Sequence, residues 1–284
     1  AQLNVLFVLD ASSSLPEDTD KEKVRGDILA QAISQLDVLT ETRPVNIAIS
    51  SFDLTYRERT EWENLNEKTS QQLRNQIPGW VNSWWGDGGG TNWEAALSGG
   101  AQTMQKSPQS KSACKMMIWL TDGGINVDGP KDKGVNAAAM ENICGTNPVN
   151  GERLAEKDSL VAQLRASKVH LIGVLLKSEE FLNSLDPVKL LDETSRFSYM
   201  LPVTEGSGTV NNAAFAESKS KDFVYECGNI PIPEGQALGA LLSGSSPISL
   251  AFAFADLGNG IRSGEREDLG AEFPLTFDIE NGIN

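Results

Sequence analysis

The chain has 284 residues, of which 39 % are hydrophobic, and a mean hydropathy of -0.27, values that are typical of a globular protein. No apolar run approaches the roughly 20 residues that a membrane-spanning helix needs. The 39 Asp and Glu outnumber the 24 Lys and Arg, and the net charge of -15 would repel the phosphate backbone of nucleic acids. We therefore expect no nucleic-acid partner and no membrane insertion by this chain.

Apolar runs and helical patterns alternate along residues 1–226. The run from Leu3 to Leu9 ends in Asp10 and predicts a strand covered on both faces. No basic segment precedes it, so we expect a strand and not a signal peptide. Further strands are predicted at 45–52, 60–66, 115–122, 169–176 and 196–201, and helices over about 24–36, 93–104, 152–167, from about 180, and over 209–223. This alternation is typical of an α/β protein with a doubly wound, mostly parallel, Rossmann-like sheet.

The pattern changes at Cys227. A segment rich in Pro and Gly follows, and then two stretches with alternating apolar residues, at 248–254 and 273–279. Two strands with one apolar face are rarely stable alone. We therefore expect residues 227–284 to be a linker and a β-strand extension, which either packs on the α/β domain or begins a further β domain.

Five polar side chains are predicted to converge at the carboxyl edge of the sheet. They lie after the first strand, on a glycine loop and after a later strand: Asp10, Ser12, Ser14, Thr91 and Asp122. Each has a simpler explanation alone, because such residues cap helices and make turns, and Thr91 fits a capping box. Together they offer only oxygen ligands, which suits Mg²⁺ better than zinc. Mn²⁺ and Ca²⁺ are alternatives of the same kind.

The only histidine, His170, lies within an apolar run and is expected to be a core residue. A Ser-His-Asp site would have to use this position. Acyl-transfer catalysis is therefore not expected.

The polar motifs resemble the metal-ion-dependent adhesion site (MIDAS) of von Willebrand factor A (VWA) domains. The resemblance rests on D-x-S-x-S from Asp10, a Gly-preceded Thr91 before a helix, and T-D-G from Thr121 to Gly123. It covers about residues 1–226. It implies that Ser12, Ser14 and Thr91 bind the metal directly through their hydroxyls, and that Asp10 and Asp122 act in part through water. In the family, a carboxylate of the partner often completes the metal coordination.

Neighbouring residues suggest additions to this site. Glu17 and Asp18 have the offset of the adjacent second metal site of integrin β subunits, although a solvated acidic loop is the alternative. Of Trp84 and Trp85, one is expected to pack under the glycine loop and the other to line the ligand rim. Asp87 is expected to be a turn residue or an outer acid. The insertion at 124–151 would lie near the rim, and its role stays open.

Three cysteines permit one internal disulfide. Cys114 precedes a strand and Cys227 follows a predicted helix, so both are expected at the edge opposite the metal. Cys144 precedes a predicted helix that begins at the metal edge. We therefore expect a Cys114–Cys227 bond.

The favoured function is a metal-dependent module for protein-ligand binding or adhesion, without enzymatic activity, in a secreted or cell-surface protein. Its partner would contribute an acidic residue. An intracellular adaptor of an ATPase or chaperone-like assembly is the first alternative. A Mg²⁺-dependent phosphohydrolase is the second; the motif lacks both a second carboxylate near Asp10 and an adjacent Lys or Arg.

Overall fold

A computed structural model describes residues 2–13, 20, 23–83, 89–108, 113–122, 125–127, 133–145, 159–176, 203, 209–211, 224–226 and 240–244. The strands are β1 (Leu3–Asp10), β2 (Val45–Phe52), β3 (Tyr56–Glu58), β4 (Glu63–Asn64), β5 (Cys114–Thr121), β6 (Val169–Leu176), β7 (Thr209–Asn211), β8 (Val224–Glu226) and β9 (Ala240–Gly244). The helices are α1 (Val24–Leu39), α2 (Glu67–Ser83), α3 (Trp93–Gln105), α4 (Lys133–Cys144) and α5 (Leu160–Ala166). None of the described helices is long and apolar enough to cross a bilayer.

Seven of the described strands form one sheet, and β7 and β8 form a separate pair. The strand order of the sheet is β3-β2-β1-β5-β6-β9, and β4 also pairs with β2. The pairings among β2, β1, β5, β6 and β9 are parallel, whereas β3 and β4 run antiparallel to β2. The prediction of a mostly parallel α/β sheet is confirmed.

The central strand β1 is covered on both faces, since all eight of its residues are buried. Leu3, Val5 and Phe7 pack in a core with α1 and α2. Leu6 and Val8 face a second core, to which α3, α4 and α5 contribute. Continuous apolar sequence is the pattern that such a two-sided environment requires.

The chain changes its winding direction between β1 and β5. From β1 it passes through α1 to β2 on one side, and it later returns to β5 on the other side of β1. Ligands of open parallel sheets bind at the carboxyl ends of the strands at such a switch point. Asp10 ends β1, and Asp122 directly follows β5, so the topology places both aspartates at this point.

Helix α2 is absent from the sequence-based assignment. Its buried Leu73, Ile77 and Val81 recur every four residues, which is a helical signal. Pro78 and Gly79 interrupt this pattern, and both disfavour helix interiors by propensity. Packing of the apolar stripe against α1 overrides that local preference.

Two sequence-based elements differ from the structure. The strand expected at 60–66 is replaced by the short antiparallel strands β3 and β4 at the edge of the sheet. The helix expected over 209–223 is wrong at its start, because 209–211 form β7, which pairs antiparallel with β8. The β-branched Thr209 and Val210 favour this extended state.

Several predicted elements lie outside the described residues: the strand at 196–201, the helix from about 180, and the strands near 248–254 and 273–279. Strand β9 adds to the main sheet a segment that follows residue 226. The division into domains 1–226 and 227–284 stays a prediction.

The cysteines differ from expectation. Cys144 is disulfide-bonded, whereas Cys114 is a partly buried thiol, so the predicted Cys114–Cys227 pairing is wrong in its first member. The reason lies in α4, which occupies part of the 124–151 insertion. A helix of 12 residues spans about 18 Å, so Cys144 at its end is carried away from the loop that follows Asp122.

Disulfide mapping tests this assignment. The chain's third cysteine is Cys227, so we expect a Cys144–Cys227 peptide in a non-reducing digest and alkylation of Cys114 in denaturant without reductant. Loss of the bond in Cys144→Ser should reduce the free energy of unfolding by about 2–5 kcal/mol. Cys114→Ser is the matched control and should change it little. Protection of Cys114 from alkylation before reduction would contradict the assignment.

A second test concerns the packing of α3 against β3. A Cβ added at Gly99 would overlap the ring of Tyr56, whose hydroxyl hydrogen-bonds the Thr103 Oγ1 at 2.8 Å. We expect Gly99→Ala to lower the free energy of unfolding by about 1–3 kcal/mol in denaturant titrations. At Gly79 an added Cβ meets nothing within 4 Å, so Gly79→Ala should be neutral or stabilising by up to about 1 kcal/mol. Equal effects of the two substitutions would refute this packing argument.

Candidate metal site

Asp10 lies at the centre of the candidate site. Its side chain is buried, with 1 % of the residue surface exposed. Oδ1 accepts a hydrogen bond from the Ser12 backbone N–H at 2.8 Å, and Oδ2 accepts one from the Thr121 hydroxyl at 2.6 Å. The first bond closes a local turn after β1, a common role of aspartate. The second ties this turn to the end of β5.

A second buried carboxylate, Asp122, lies next to Thr121 at the end of β5. Burial and then the charge of Asp122 raise the pKa of Asp10 to about 7, against the lowering effect of the hydrogen bonds from Thr121 and Ser12. Two carboxylates held together away from water repel one another when both are ionised. The protein alone therefore leaves negative charge at this point under-compensated.

Thr91 enters the site on the loop before α3. Its backbone N–H donates to the Asn126 carbonyl at 2.6 Å, and the Asn126 N–H donates to the Thr91 carbonyl at 2.9 Å. This two-way bridge joins the Thr91 loop to the segment that follows Asp122. A Cβ at Gly90 would lie 2.5 Å from the same Asn126 carbonyl oxygen, so the close approach requires glycine at this position.

The helix cap is supplied by Asn92 and not by Thr91. The Asn92 Oδ1 accepts from the Ala95 N–H at 3.1 Å, whereas the Glu94 carboxylate accepts from Asn142 Nδ2 at 2.8 Å. The capping-box explanation of Thr91 is therefore wrong. Thr91 is buried at the carboxyl edge with a hydroxyl that the cap does not use.

Arg25 contacts Asp10 and is paired with Asp20, and the sequence motifs point to neither Arg25 nor Asp20. Arg25 is 3 % exposed; its Nη1 donates to the Asp10 carbonyl oxygen at 2.6 Å, and its Nε lies 3.4 Å from Asp20 Oδ2. Burial lowers the pKa of Arg25 to about 10, against the raising effect of the charges of Asp20, Asp10 and Asp122. The expectation that no Lys or Arg lies beside the motif is corrected.

A weak sequence signal for Arg25 exists. It precedes Ile28, Leu29 and Ala32 by three, four and seven residues, so it lies on the buried stripe of α1. A charge on such a stripe is rarely buried without a partner. Spacing alone does not name that partner, because Asp10 is 15 residues away in the sequence.

The donors described here fit a hard divalent cation. Asp10, Ser12, Thr91 and Asp122 are all buried at the carboxyl edge, and they offer only oxygen. Within the described part of the chain, no group of three or more His, Cys, Asp or Glu residues is arranged to hold a metal. A cation here would thus depend on hydroxyl oxygens as well as on two carboxylates. A positive ion would also relieve the repulsion between Asp10 and Asp122.

Other predicted positions have mixed outcomes. Ser14, Glu17, Asp18, Trp84, Trp85 and Asp87 lie outside the described residues. Trp93 is a core residue, as expected, and its ring meets that of Trp119 edge-to-face with centroids 4.9 Å apart. His170 lies in β6 and is only partly buried.

The sequence comparison identifies a family. Residues 5–125 match the family model described as von Willebrand factor type A domain. This span includes most of β1, the Thr91 loop, β5 and Asp122. No curated protein matches the chain significantly.

Solved structures share the fold at low sequence identity. The PilB minor pilin from Streptococcus sanguinis is 16 % identical with a TM-score of 0.50, over 94 % of this chain and 62 % of that one. The proximal thread matrix protein 1 of the mussel byssus is 12 % identical with a TM-score of 0.50, over 92 % of this chain and 48 % of that one. The chain thus spans about half to two thirds of these proteins. Residues 5–125 thus match a von Willebrand factor type A domain, and the mostly parallel sheet of the described residues agrees with that match.

Proposed function

We propose that the chain is a metal-dependent module for protein-ligand binding or adhesion, with Mg²⁺ at a MIDAS. The observation that carries this proposal is the pair of buried carboxylates, Asp10 and Asp122, at the switch point beside buried hydroxyl donors. The resemblance of the motifs to a MIDAS adds Ser14, for which the structure gives no description. Mn²⁺ and Ca²⁺ are alternative occupants.

Each residue has a defined part in this proposal. Ser12, Ser14 and Thr91 would hold the cation through their hydroxyls. Asp10 holds the turn that presents Ser12, through its bond to the Ser12 N–H, and Asp122 supplies a second negative charge. Arg25 holds the Asp10 backbone through its hydrogen bond to the Asp10 carbonyl oxygen. When bound, Mg²⁺ supplies positive charge that can attract a further oxygen ligand.

The partner would provide that ligand as an acidic side chain. Three neutral hydroxyls compensate less of the cation charge than three carboxylates would, so an additional anionic oxygen is favoured. Metal binding and partner binding then become one linked event. The type A domain match and the fold shared with a minor pilin and a byssus matrix protein support an interaction module.

An extracellular or cell-surface location is the proposal most consistent with the cysteines. Cys144 is disulfide-bonded, and such bonds persist mainly in oxidising compartments. This observation disfavours the intracellular adaptor of an ATPase assembly. The phosphohydrolase alternative gains little from Arg25, because its guanidinium is buried, donates to the Asp10 carbonyl oxygen and is paired with Asp20.

Metal binding should stabilise the protein. At a free Mg²⁺ concentration one hundred times the dissociation constant, the free energy of unfolding should rise by about 2.7 kcal/mol. For a domain of this size, the melting temperature should rise by roughly 5–10 °C, as measured by scanning calorimetry with Mg²⁺ and with EDTA. Asp10→Ala should abolish the rise.

Matched variants separate metal binding from general stability. Thr91→Ala should lose most of the Mg²⁺-dependent rise, whereas Thr91→Ser keeps the hydroxyl and should retain it. Asp27→Asn removes one exposed acid from α1 and should respond to Mg²⁺ as the wild type does. A Mg²⁺ response that survives in Asp10→Ala or Thr91→Ala would exclude the proposed ligands.

The elevated pKa of Asp10 predicts a pH dependence. In EDTA, Asp10 takes up its proton near pH 7 in the folded state and near its ordinary 3.8 in the unfolded state. The folded state therefore binds more protons between these values, and its stability should fall as the pH rises from about 4 to 7, by up to about 1.4 kcal/mol per unit. Denaturant titrations at pH 5, 6 and 7 measure this slope.

Saturating Mg²⁺ should flatten this fall in stability towards zero, because the folded carboxylate then stays ionised. Because the ion binds the ionised carboxylate, its affinity should fall by as much as about tenfold per unit below pH 7. Asp10→Asn cannot lose a proton, so its unfolding in EDTA should lack the Asp10 contribution to the slope. An unchanged slope in Asp10→Asn would assign the pH dependence to other groups.

A further inference from the structure

Leu54 is an exposed apolar side chain at the metal edge. Among the described residues, the large hydrophobic side chains that stand exposed are Leu54, at 38 %, and Val38, at 45 %. Val38 lies near the end of α1, and Leu54 lies between β2 and β3. Since β2 runs parallel to β1, the loop after β2 is at the same edge as Asp10.

Direct contacts place Leu54 beside the Thr91 loop. A Cβ at Gly90 would lie 2.5 Å from the Leu54 Cδ2, so the leucine side chain packs against the Gly90 backbone. The Leu54 carbonyl accepts from Asn92 Nδ2 at 3.2 Å, and the Asp53 carbonyl accepts from the Asn92 N–H at 2.8 Å. Leu54 therefore lies against residues on both sides of Thr91.

The loop that carries Leu54 is held in one conformation. The buried Asp53 carboxylate accepts from the Thr55 backbone N–H at 2.8 Å and from Arg57 Nη1 at 2.6 Å. These bonds close a turn around Leu54. Because the loop is already ordered, little conformational entropy is lost when a partner contacts the exposed surface of Leu54. This favours a role of Leu54 in binding.

The net negative charge of the chain makes an apolar contact useful for binding an acidic partner. A net charge of -15 repels an acidic partner at long range. The metal attracts a carboxylate only at short range, and salt screens what remains. A partner held at this edge therefore needs short-range contacts other than charge, and Leu54 offers one beside Thr91.

We propose that Leu54 is a specificity-determining contact of the metal site, and that the partner presents an acidic side chain with an apolar residue next to it. This inference rests on the proposed function, because the acid is assumed to bind the metal. Leu54 favours partners in which the residue next to the acidic side chain is apolar. The bonds of the Asp53 carboxylate to Thr55 and Arg57 position Leu54.

Capped dipeptides provide a defined test. N-acetyl-Asp-Leu-amide should bind the Mg²⁺-loaded protein about three- to tenfold more tightly than N-acetyl-Asp-Ser-amide, the gain expected from burying one or two methylene groups. N-acetyl-Asn-Leu-amide lacks the acid and should not bind. Chemical-shift titrations of isotope-labelled protein, in Mg²⁺ and in EDTA, measure all three affinities.

Two variants decide the role of Leu54. Leu54→Ser should remove the preference for the Leu dipeptide, and Leu54→Met should restore most of it. Val38→Ser makes the same kind of change at the other exposed hydrophobic position and should keep the full preference. The Mg²⁺-induced thermal shift of each variant verifies that its metal site is intact.

The outcomes separate the inference from the function on which it rests. If no acidic dipeptide binds in a Mg²⁺-dependent manner, the proposed carboxylate ligand is wrong and the inference falls with it. If both acidic dipeptides bind in Mg²⁺ with equal affinity, or if Leu54→Ser keeps the preference, only the role of Leu54 is refuted. Loss of the preference in Leu54→Ser alone, with an intact thermal shift, supports it.

Discussion

The repulsion between two buried carboxylates is the constraint on which the rest of the site depends. Asp10 and Asp122 are held at the ends of adjacent parallel strands, where the backbone leaves them no freedom to separate. Hydrogen bonds from Ser12 and Thr121 reduce the cost of ionising Asp10 but do not cancel it. Carboxylates perturbed in this way cluster at functional sites. A bound cation, as in the proposed function, would offset the repulsion between them.

The parallel sheet makes this arrangement rigid. Strand β1 is buried on both faces and pairs on both edges, so Asp10 cannot move without disturbing two cores. The other participants are attached to this frame by backbone hydrogen bonds: Thr91 to Asn126, and Asn92 to Asp53. Three loops that are distant in sequence therefore behave as one surface. Rigid support of this kind is what precise placement of ligands demands.

Much of this arrangement can be predicted from the sequence, and the reason is local. The all-apolar runs before Asp10 and Asp122 specify buried parallel strands, and parallel strands bring their carboxyl ends together. Thr91 is predictable because a glycine precedes it and a helix follows. The simpler alternative, that Thr91 caps the helix, fails because the neighbouring Asn92 accepts the capping bond.

The remaining features depend on contacts that no local pattern encodes. Arg25 reaches Asp10 across 15 residues of chain, and only the packing of α1 decides this. Helix α2 forms despite Pro78 because α1 covers its apolar stripe. The pairing of Cys144 follows from where α4 ends, which its sequence signals poorly. Leu54 is unremarkable in sequence and becomes informative only through its exposure beside Gly90.

The bridge between Thr91 and Asn126 has an evolutionary consequence. Because hydrogen bonds in both directions anchor Asn126, changes in chain length beyond residue 127 need not be transmitted back to Asp122. The sequence beyond that point can then change while Asp122 and Thr91 keep their positions, so this part of the chain is freer to vary in evolution than the carboxyl edge of the sheet.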